Sequence, residues 1–155
     1  MNAFDRALAF VLDYEGGYSH DPADKGGETN RGISKRAYPH EDIAGMTVAR
    51  AGEIYKRDYW RPLSCDDFAY PLAVALFDTG INCGVGTAIR LAQRAAGVPE
   101  DGILGPVTRT ALALSPRTMQ AKLLARRCVH YASLPTVGHF GLGWFTRVLA
   151  CAGQT

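Results

Sequence analysis

The sequence feature that most constrains the fold is an apolar stretch over residues 69–82 that lacks a polar face. At its centre lie Leu72, Ala73, Val74, Ala75, Leu76 and Phe77. A helix that is apolar nearly all round is buried among other elements. The stretch therefore predicts a central helix surrounded by others. A chain of 155 residues with 47% apolar residues is long enough to form such a core as a single domain.

Apolar residues at helical spacing predict further helices around this one. An N-terminal helix over residues 2–15 starts at Asn2, and a second helix covers residues 47–60, with Thr47 as its cap. Later helices are expected from Thr87 to Gly97, from Pro106 to Leu114, and from Ser115 to about Ala132, with a last one around residues 143–149. The helix after Ser115 is expected to present four basic residues to solvent: Arg117, Lys122, Arg126 and Arg127.

The segment between the first two helices, residues 14–34, is rich in acids, glycines and hydroxyl groups and has no long apolar run. Glu15 opens it, continuing the apolar stripe of the first helix three residues after Leu12. Gly16 and Gly17 are expected to stop that helix by adopting the left-handed conformation. A carboxyl group in an apolar setting can hold a proton near neutral pH, which suits a general acid that cleaves a glycosidic bond.

A second polar group across a cleft would complete such a site. Asp24, Glu28 and Thr29 lie on a loop or hairpin that can fold back over the helix end. The alternative for Glu15 is a surface acid that points to water. No Ser/His/Asp or Cys/His arrangement is found, and the wide spacing of the four cysteines argues for free thiols and against a zinc site. No metal or cofactor is therefore expected.

Two motifs indicate a family resemblance. The first has two parts: residues 15–18 read Glu-Gly-Gly-Tyr, and residues 21–34 read Asp-Pro-Ala-Asp-Lys-Gly-Gly-Glu-Thr-Asn-Arg-Gly-Ile-Ser. The second motif, at residues 77–82, reads Phe-Asp-Thr-Gly-Ile-Asn. The chain resembles the phage endolysin and secretion-activator muramidases of glycoside hydrolase family 108. The resemblance implies a mainly α, lysozyme-like domain with one small β-hairpin and places Glu15 at the catalytic glutamate.

Similarity to known families also indicates the other residues expected in the site. The spacing of Glu15, Asp24 and Thr29 is similar to the Glu, Asp, Thr pattern of phage lysozymes of the T4 type, with a last interval one residue shorter. Within the two motifs, the candidates for substrate binding are Tyr18, Asn30, Asp78 and Asn82. For Asp78 and Asn82 the alternative is hydrogen bonding to neighbouring backbone.

Residues 93–97 and 101–108 are similar to the core of peptidoglycan-binding repeats over about half of one repeat. Either a wall contact or a shared helix-loop-helix packing explains this similarity. We expect one compact domain over residues 1–155, with a catalytic region at about 3–94 and a peptidoglycan-binding-like region at about 95–150.

The resemblance implies hydrolysis of the β-1,4 bond between N-acetylmuramic acid and N-acetylglucosamine. Glu15 would protonate the leaving oxygen, Asp24 would act as base or electrostatic stabiliser, and Thr29 would help to hold the water. Asp21 and Glu28 compete with Asp24 for its role. The other readings are a lytic transglycosylase, a peptidoglycan endopeptidase or amidase, and a non-catalytic wall-binding module.

The expected partners are peptidoglycan glycan strands. A formal charge of +2 and a pI near 8.4 suit an anionic wall polymer and fall short of a nucleic-acid-binding signature. No run approaches the ~20 apolar residues of a membrane-spanning helix. We expect a monomer that is made in the bacterial cytoplasm without a signal peptide and acts on the wall in the periplasm.

Overall fold

The structure is a computed structural model that describes residues 1–20 and 27–155. The chain forms two compact units, Met1–Asp58 and Tyr59–Thr155. Their described residues form seven α-helices and one two-stranded antiparallel sheet. This confirms the prediction of a mainly helical fold with one small hairpin. The boundary at residue 58 differs from the predicted internal division near residue 94, and organisation as one domain stays a prediction.

The elements of the first unit are α1 (Ala3–Tyr14), β1 (Thr29–Asn30), β2 (Ile33–Ser34) and α2 (Val48–Tyr55). Both helices begin at the predicted caps. The Asn2 side chain accepts the backbone N–H of Asp5, and the Asp5 carboxylate accepts the backbone N–H of Asn2. The Thr47 hydroxyl accepts the backbone N–H of Arg50. These bonds satisfy amide groups that have no partner inside a helix.

The helices of the second unit are α3 (Tyr70–Cys83), α4 (Val85–Ala96), α5 (Pro106–Ala113), α6 (Pro116–Ala132) and α7 (Val137–Ala152). A π-helical turn at Lys56–Trp60 and a 3₁₀ turn at Cys65–Asp67 precede them. Residues 72–80 of α3 are all buried, and α4, α6 and α7 pack against this helix. The predicted central helix is confirmed.

Two of the predicted helix starts in this unit differ in detail from the structure. Helix α4 begins at Val85 rather than at Thr87, directly after Gly84, whose φ of +86° favours glycine. Ser115 precedes α6 as predicted, but its side chain makes no capping bond. Pro106 begins α5 as predicted, where its missing N–H costs nothing.

The core of the second unit contains a buried ion triad of one carboxylate and two guanidinium groups. Asp78 of α3 and Arg127 of α6 are 0% exposed, and Arg147 of α7 is 8% exposed. Arg127 Nη1 donates to Asp78 Oδ2 at 2.5 Å, and Arg147 Nε donates to Asp78 Oδ1 at 2.8 Å. Arg127 Nε also donates to the Tyr131 hydroxyl at 2.8 Å. One carboxylate therefore ties together three helices.

The prediction of a solvated Arg127 is wrong. Arg127 lies four residues after Leu123 and three after Leu124, so helical spacing places it on the inward face of α6. The pKa of Arg127 is raised. Burial, the largest single influence, lowers this pKa, but the charges of Asp78 and Tyr131 and hydrogen bonds to both outweigh that effect. Arg127 therefore stays charged inside the core.

The segment similar to peptidoglycan-binding repeats is held by one buried amide. Gln93 of α4 is 0% exposed, and its Nε2 donates to Asp101 Oδ1 at 2.6 Å and to the Ile103 carbonyl at 3.0 Å. Its Oε1 accepts the backbone N–H of Gly102 at 2.9 Å. These bonds fix the loop between α4 and α5, so the motif has a structural role here. A wall contact by this region stays a prediction.

We expect Asp101→Asn to change how stability depends on pH. The pKa of Asp101 is lowered, first by the backbone N–H of Ile103 and then by the Gln93 side chain. Because the folded pKa lies below the unfolded value, ionised Asp101 stabilises the fold above about pH 4. That contribution is lost as the pH falls through the folded pKa. Urea unfolding between pH 2 and 7 should show a shallower acid decline in the variant, and identical slopes would contradict this assignment.

Within the described residues, no helix is both long and apolar enough to cross a membrane. Nor do the described His, Cys, Asp and Glu side chains gather in any group of three suited to a metal ion. All four cysteines are free thiols, with Cys65 and Cys151 buried and Cys83 and Cys128 half-buried. Burial raises the pKa of each thiol, which keeps it protonated and unreactive near neutral pH.

Candidate active site

The hairpin of the first unit turns through two residues with positive φ. Arg31 has a φ of +52° and Gly32 a φ of +75°. Positive φ at both central positions is the requirement of a type I′ turn, whose twist matches that of the two flanking strands. The register pairs Thr29 with Ser34 and Asn30 with Ile33. Residues 29–34 therefore form a complete hairpin.

Backbone hydrogen bonds fasten this hairpin to the end of α1. The Arg31 N–H donates to the Gly16 carbonyl at 3.1 Å. Ser19 and Thr29 exchange two bonds, with N···O distances of 2.8 Å and 2.9 Å. The segment after the helix thus forms an isolated antiparallel bridge to β1. This pairing brings the turn residues next to Glu15.

Glu15 is the C-cap of α1 and has an extended backbone, with φ −88° and ψ 134°. Its N–H still donates to the Val11 carbonyl at 3.1 Å. The helix ends here without a left-handed glycine, so the predicted stop by Gly16 and Gly17 is wrong. Glu15 is half-buried, because the extended residue leaves the apolar stripe and turns towards the hairpin. Its setting is therefore more polar than the helical spacing predicts.

The Glu15 carboxylate meets the hairpin at Gly32. A Cβ atom built on Gly32 would overlap the Tyr55 hydroxyl and lie 2.8 Å from Glu15 Oε2. Tyr55 reaches this point from α2, where it is 1% exposed and donates to the Arg31 carbonyl at 2.9 Å. A carboxyl and a phenol therefore converge beside a residue with no side chain. Tyr55 is not among the residues that the sequence singled out for the site.

We expect Gly32→Ala to reduce activity well beyond its effect on stability. The new methyl group would displace Glu15 or Tyr55, and small displacements of a reacting group can cost about 10²-fold in rate. Gly27→Ala is the matched control. Gly27 also has a positive φ, +72°, but its Cβ would meet only Lys35 Cβ, at an ordinary 3.7 Å.

Both alanines share a backbone cost of about 1–2 kcal/mol for the left-handed conformation. Thermal unfolding and the rate per folded molecule should therefore separate the two variants, with the activity loss confined to Gly32→Ala. Equal rates for both folded variants would mean that the contact between Gly32 and Glu15 is unimportant for function.

Tyr18 and Glu28 form a second polar group in this unit. Tyr18 is 51% exposed, and its pKa is raised by partial removal from water, by the charge of Glu28 and by a hydrogen bond to that carboxylate. His20 Nδ1 lies 3.7 Å from Glu28 Oε1. The exposed Tyr18 ring is available to a ligand, as its predicted substrate-binding role requires. That role stays a prediction.

The remaining predicted residues of the hairpin have different environments. Thr29 begins β1 and is half-buried. Asn30 is 7% exposed, and its amide donates to the Ile43 carbonyl at 3.0 Å, so it anchors the hairpin to the following loop. Asp21 and Asp24 lie outside the described residues. Their predicted roles therefore stay predictions.

The two candidates in the second unit are held by side chains and backbone of that unit. Asp78 has no exposed surface and is bound by Arg127 and Arg147, which leaves no face for a polysaccharide. Asn82 is exposed, and its Nδ2 donates to the Asp78 carbonyl at 2.8 Å. This hydrogen bond to backbone is the alternative to substrate binding that was expected for Asn82 from the sequence. Asp78 was missed as an ion-pair centre because its two partners lie far along the chain.

Comparisons with known proteins bear on the same residues. The sequence profile of glycosyl hydrolase family 108 matches residues 8–84, which include Glu15 and the hairpin. A solved structure of Brucella abortus SagA is 30% identical to the chain and superposes with a TM-score of 0.85. That match covers 97% of this chain and 91% of SagA. No curated protein sequence matches the chain significantly.

The helical architecture, with a short hairpin fastened beside a helix-end carboxyl, defines a lysozyme-like fold. The chain belongs to glycosyl hydrolase family 108. It is therefore a glycoside hydrolase, and its family supports peptidoglycan as the substrate.

Proposed function

We propose that this protein is a muramidase that hydrolyses the β-1,4 bond between N-acetylmuramic acid and N-acetylglucosamine, with Glu15 as general acid. The observation that carries the proposal is the convergence of Glu15 and the Tyr55 hydroxyl at Gly32. A carboxyl held at a helix end and open to solvent on one side can reach a polymer. The hairpin forms one wall beside it.

In the proposed reaction, Glu15 donates its proton to the glycosidic oxygen as the bond to the anomeric carbon breaks. The sugar that keeps this carbon develops positive charge, and water adds to it. Asp24 removes a proton from that water or stabilises the positive charge. Thr29 helps to hold the water. Each cycle consumes one water molecule and leaves one new reducing end.

Tyr55 is a positioning residue in this scheme. Its hydroxyl donates to the Arg31 carbonyl and so holds the turn of the hairpin against α2, beside the Glu15 carboxylate. Tyr55→Phe would remove this tie to the hairpin.

The bond specificity is tested by digesting purified peptidoglycan, reducing the products with borohydride and identifying the reduced sugar. Reduced N-acetylmuramic acid is expected. Reduced N-acetylglucosamine would identify a glucosaminidase and contradict the proposed linkage, while loss of stem peptides without new reducing ends would identify an amidase or endopeptidase.

We expect Asp24→Ala to reduce the rate of wall lysis far more than Asp21→Ala or Glu28→Ala. Asp24 lies nine positions after Glu15, which is enough chain to reverse direction and place a carboxylate opposite the acid. Asp21 precedes a proline and is suited to fastening a turn. Glu28 is engaged with Tyr18 and His20. A loss of about 10²-fold or more is expected for Asp24 alone.

The three variants should be compared at equal concentrations of folded protein, because turn substitutions also affect stability. Equal activity of all three would show that Glu15 works with a different group. A dominant effect of Glu28→Ala would move the second catalytic role to the carboxylate beside Tyr18.

A further inference from the structure

Acidic residues are absent from the last third of the sequence. Asp101 is the last carboxylate side chain, and residues 102–155 contain six Lys and Arg residues. Arg127 and Arg147 are buried with Asp78, and Arg109 pairs with Asp67. The three that remain are exposed on α6 and form no ion pair with any residue that the structure describes: Arg117, Lys122 and Arg126.

Two of these cations line a groove between α4 and α6, within the second unit. The groove has a volume of about 520 Å³. Arg94 lies on its α4 side, and Lys122 and Arg126 lie on its α6 side. The remaining lining residues are apolar and mostly small: Ala95, Ala96, Gly97, Ala125 and Val129. The size is within the usual range for small-molecule sites.

One of the three cations that line the groove, Arg94, is already paired with a carboxylate. Arg94 donates two hydrogen bonds to the Glu100 carboxylate, from Nε to Oε1 at 2.7 Å and from Nη2 to Oε2 at 2.5 Å. The pKa of Glu100 is lowered by this hydrogen bonding first, and Arg126 contributes through its charge. Three cations against this one carboxylate leave a formal charge of +2. Lys122 and Arg126 can therefore bind a further anion.

We propose that this groove binds the carboxylates of the peptide stems of peptidoglycan, with Lys122 and Arg126 as the anion-binding residues. The inference rests on the proposed function, because it assigns a second contact to the same substrate. Peptide stems carry carboxylates beside the methyl groups of alanine, which matches two cations among lining residues that are apolar and mostly small. A phosphate-bearing polymer would satisfy the charges and leave the apolar lining unused.

The test uses the full chain and a soluble probe, N-acetylmuramyl-L-alanyl-D-isoglutamine, which contains no glycosidic bond between sugars. Binding is followed by chemical-shift changes in NMR spectra. The comparison is between wild type, the double variant Lys122→Ala/Arg126→Ala, and the control Arg117→Ala. Arg117 is an exposed cation on the same helix that does not line the groove. A probe whose single carboxylate, on the isoglutamine, is converted to a methyl ester reports on the charge itself.

We expect the double variant to bind about tenfold more weakly, equivalent to about 1.4 kcal/mol, and Arg117→Ala to bind as wild type does. The methylated probe should bind as weakly to wild type as the free acid binds to the double variant. Equal affinity in the double variant, or no effect of methylation, would overturn the proposal. Displacement of the probe by equimolar inorganic phosphate would also overturn it, by showing a general anion site.

Hydrolysis of purified peptidoglycan by the same preparations keeps the two proposals separate. If wild type releases no reducing sugar, the muramidase proposal fails whatever the probe does. If wild type hydrolyses the wall and the double variant binds the probe normally, only the groove proposal fails. Because Lys122 and Arg126 are exposed and unpaired among the described residues, their replacement should leave thermal unfolding nearly unchanged.

Discussion

Glu15→Gln is expected to abolish wall hydrolysis while leaving the fold intact. Glutamine has nearly the shape of glutamic acid but cannot donate an acidic proton, and the loss of an essential general acid should cost at least ~10²-fold in rate. Glu15 lies at the helix end and is only half-buried, so the fold depends little on its charge. Release of reducing sugar from purified peptidoglycan measures the loss, and circular dichroism checks the fold.

Glu53→Gln provides the matched control. Glu53 is an exposed carboxylate of α2 that pairs with Arg50, so the same chemical change is made away from Gly32. This variant should hydrolyse peptidoglycan as wild type does. Near wild-type turnover by a folded Glu15→Gln variant would remove Glu15 from the mechanism.

Asp78→Asn should cause the largest loss of stability. The substitution keeps the shape of the side chain but removes the charge that Arg127 and Arg147 share. Two buried guanidinium groups would then lack a counter-charge, and breaking a buried ion pair typically costs about 3–5 kcal/mol. For a chain of this size we expect the melting temperature to fall by roughly 10 °C. Urea titration gives the free energy of unfolding directly.

Asp67→Asn is the control that breaks an exposed ion pair, so it shows how much of the stability loss depends on burial of the pair. Asp67 pairs with Arg109 at 2.6 Å, almost the same distance as in the triad, but both side chains are about half exposed. Exposed pairs contribute about 0–1 kcal/mol, so this variant should unfold close to wild type. Similar losses for Asp67→Asn and Asp78→Asn would contradict the assignment of a stabilising buried triad.

The helices were predictable from the sequence because each carries local signals. Asn2 and Thr47 mark two helix starts through hydrogen bonds that span only three residues. The central helix follows from a continuous apolar run, which needs no knowledge of its neighbours. The hairpin was predictable in outline, because the family resemblance implies one and because Gly32 can adopt the positive φ that its turn requires.

The contacts that define the site and the core could not be derived in the same way. Asp78 and its two arginines are 49 and 69 positions apart, so no local pattern links them. Tyr55 and Glu15 are 40 positions apart and both approach Gly32, but Tyr55 has the same apolar spacing as its core neighbours. The extended backbone of Glu15 is imposed by the hairpin that binds Gly16, and this pairing is invisible in helical periodicity.

The mass of the products from a purified peptidoglycan digest shows whether Glu15 catalyses hydrolysis of the glycan. A muramidase adds one water to each cleaved bond, so we expect muropeptides with ordinary reducing ends, formed by wild type and absent with Glu15→Gln. Products lighter by one water would carry anhydro ends. They would identify a lytic transglycosylase and rule out a muramidase.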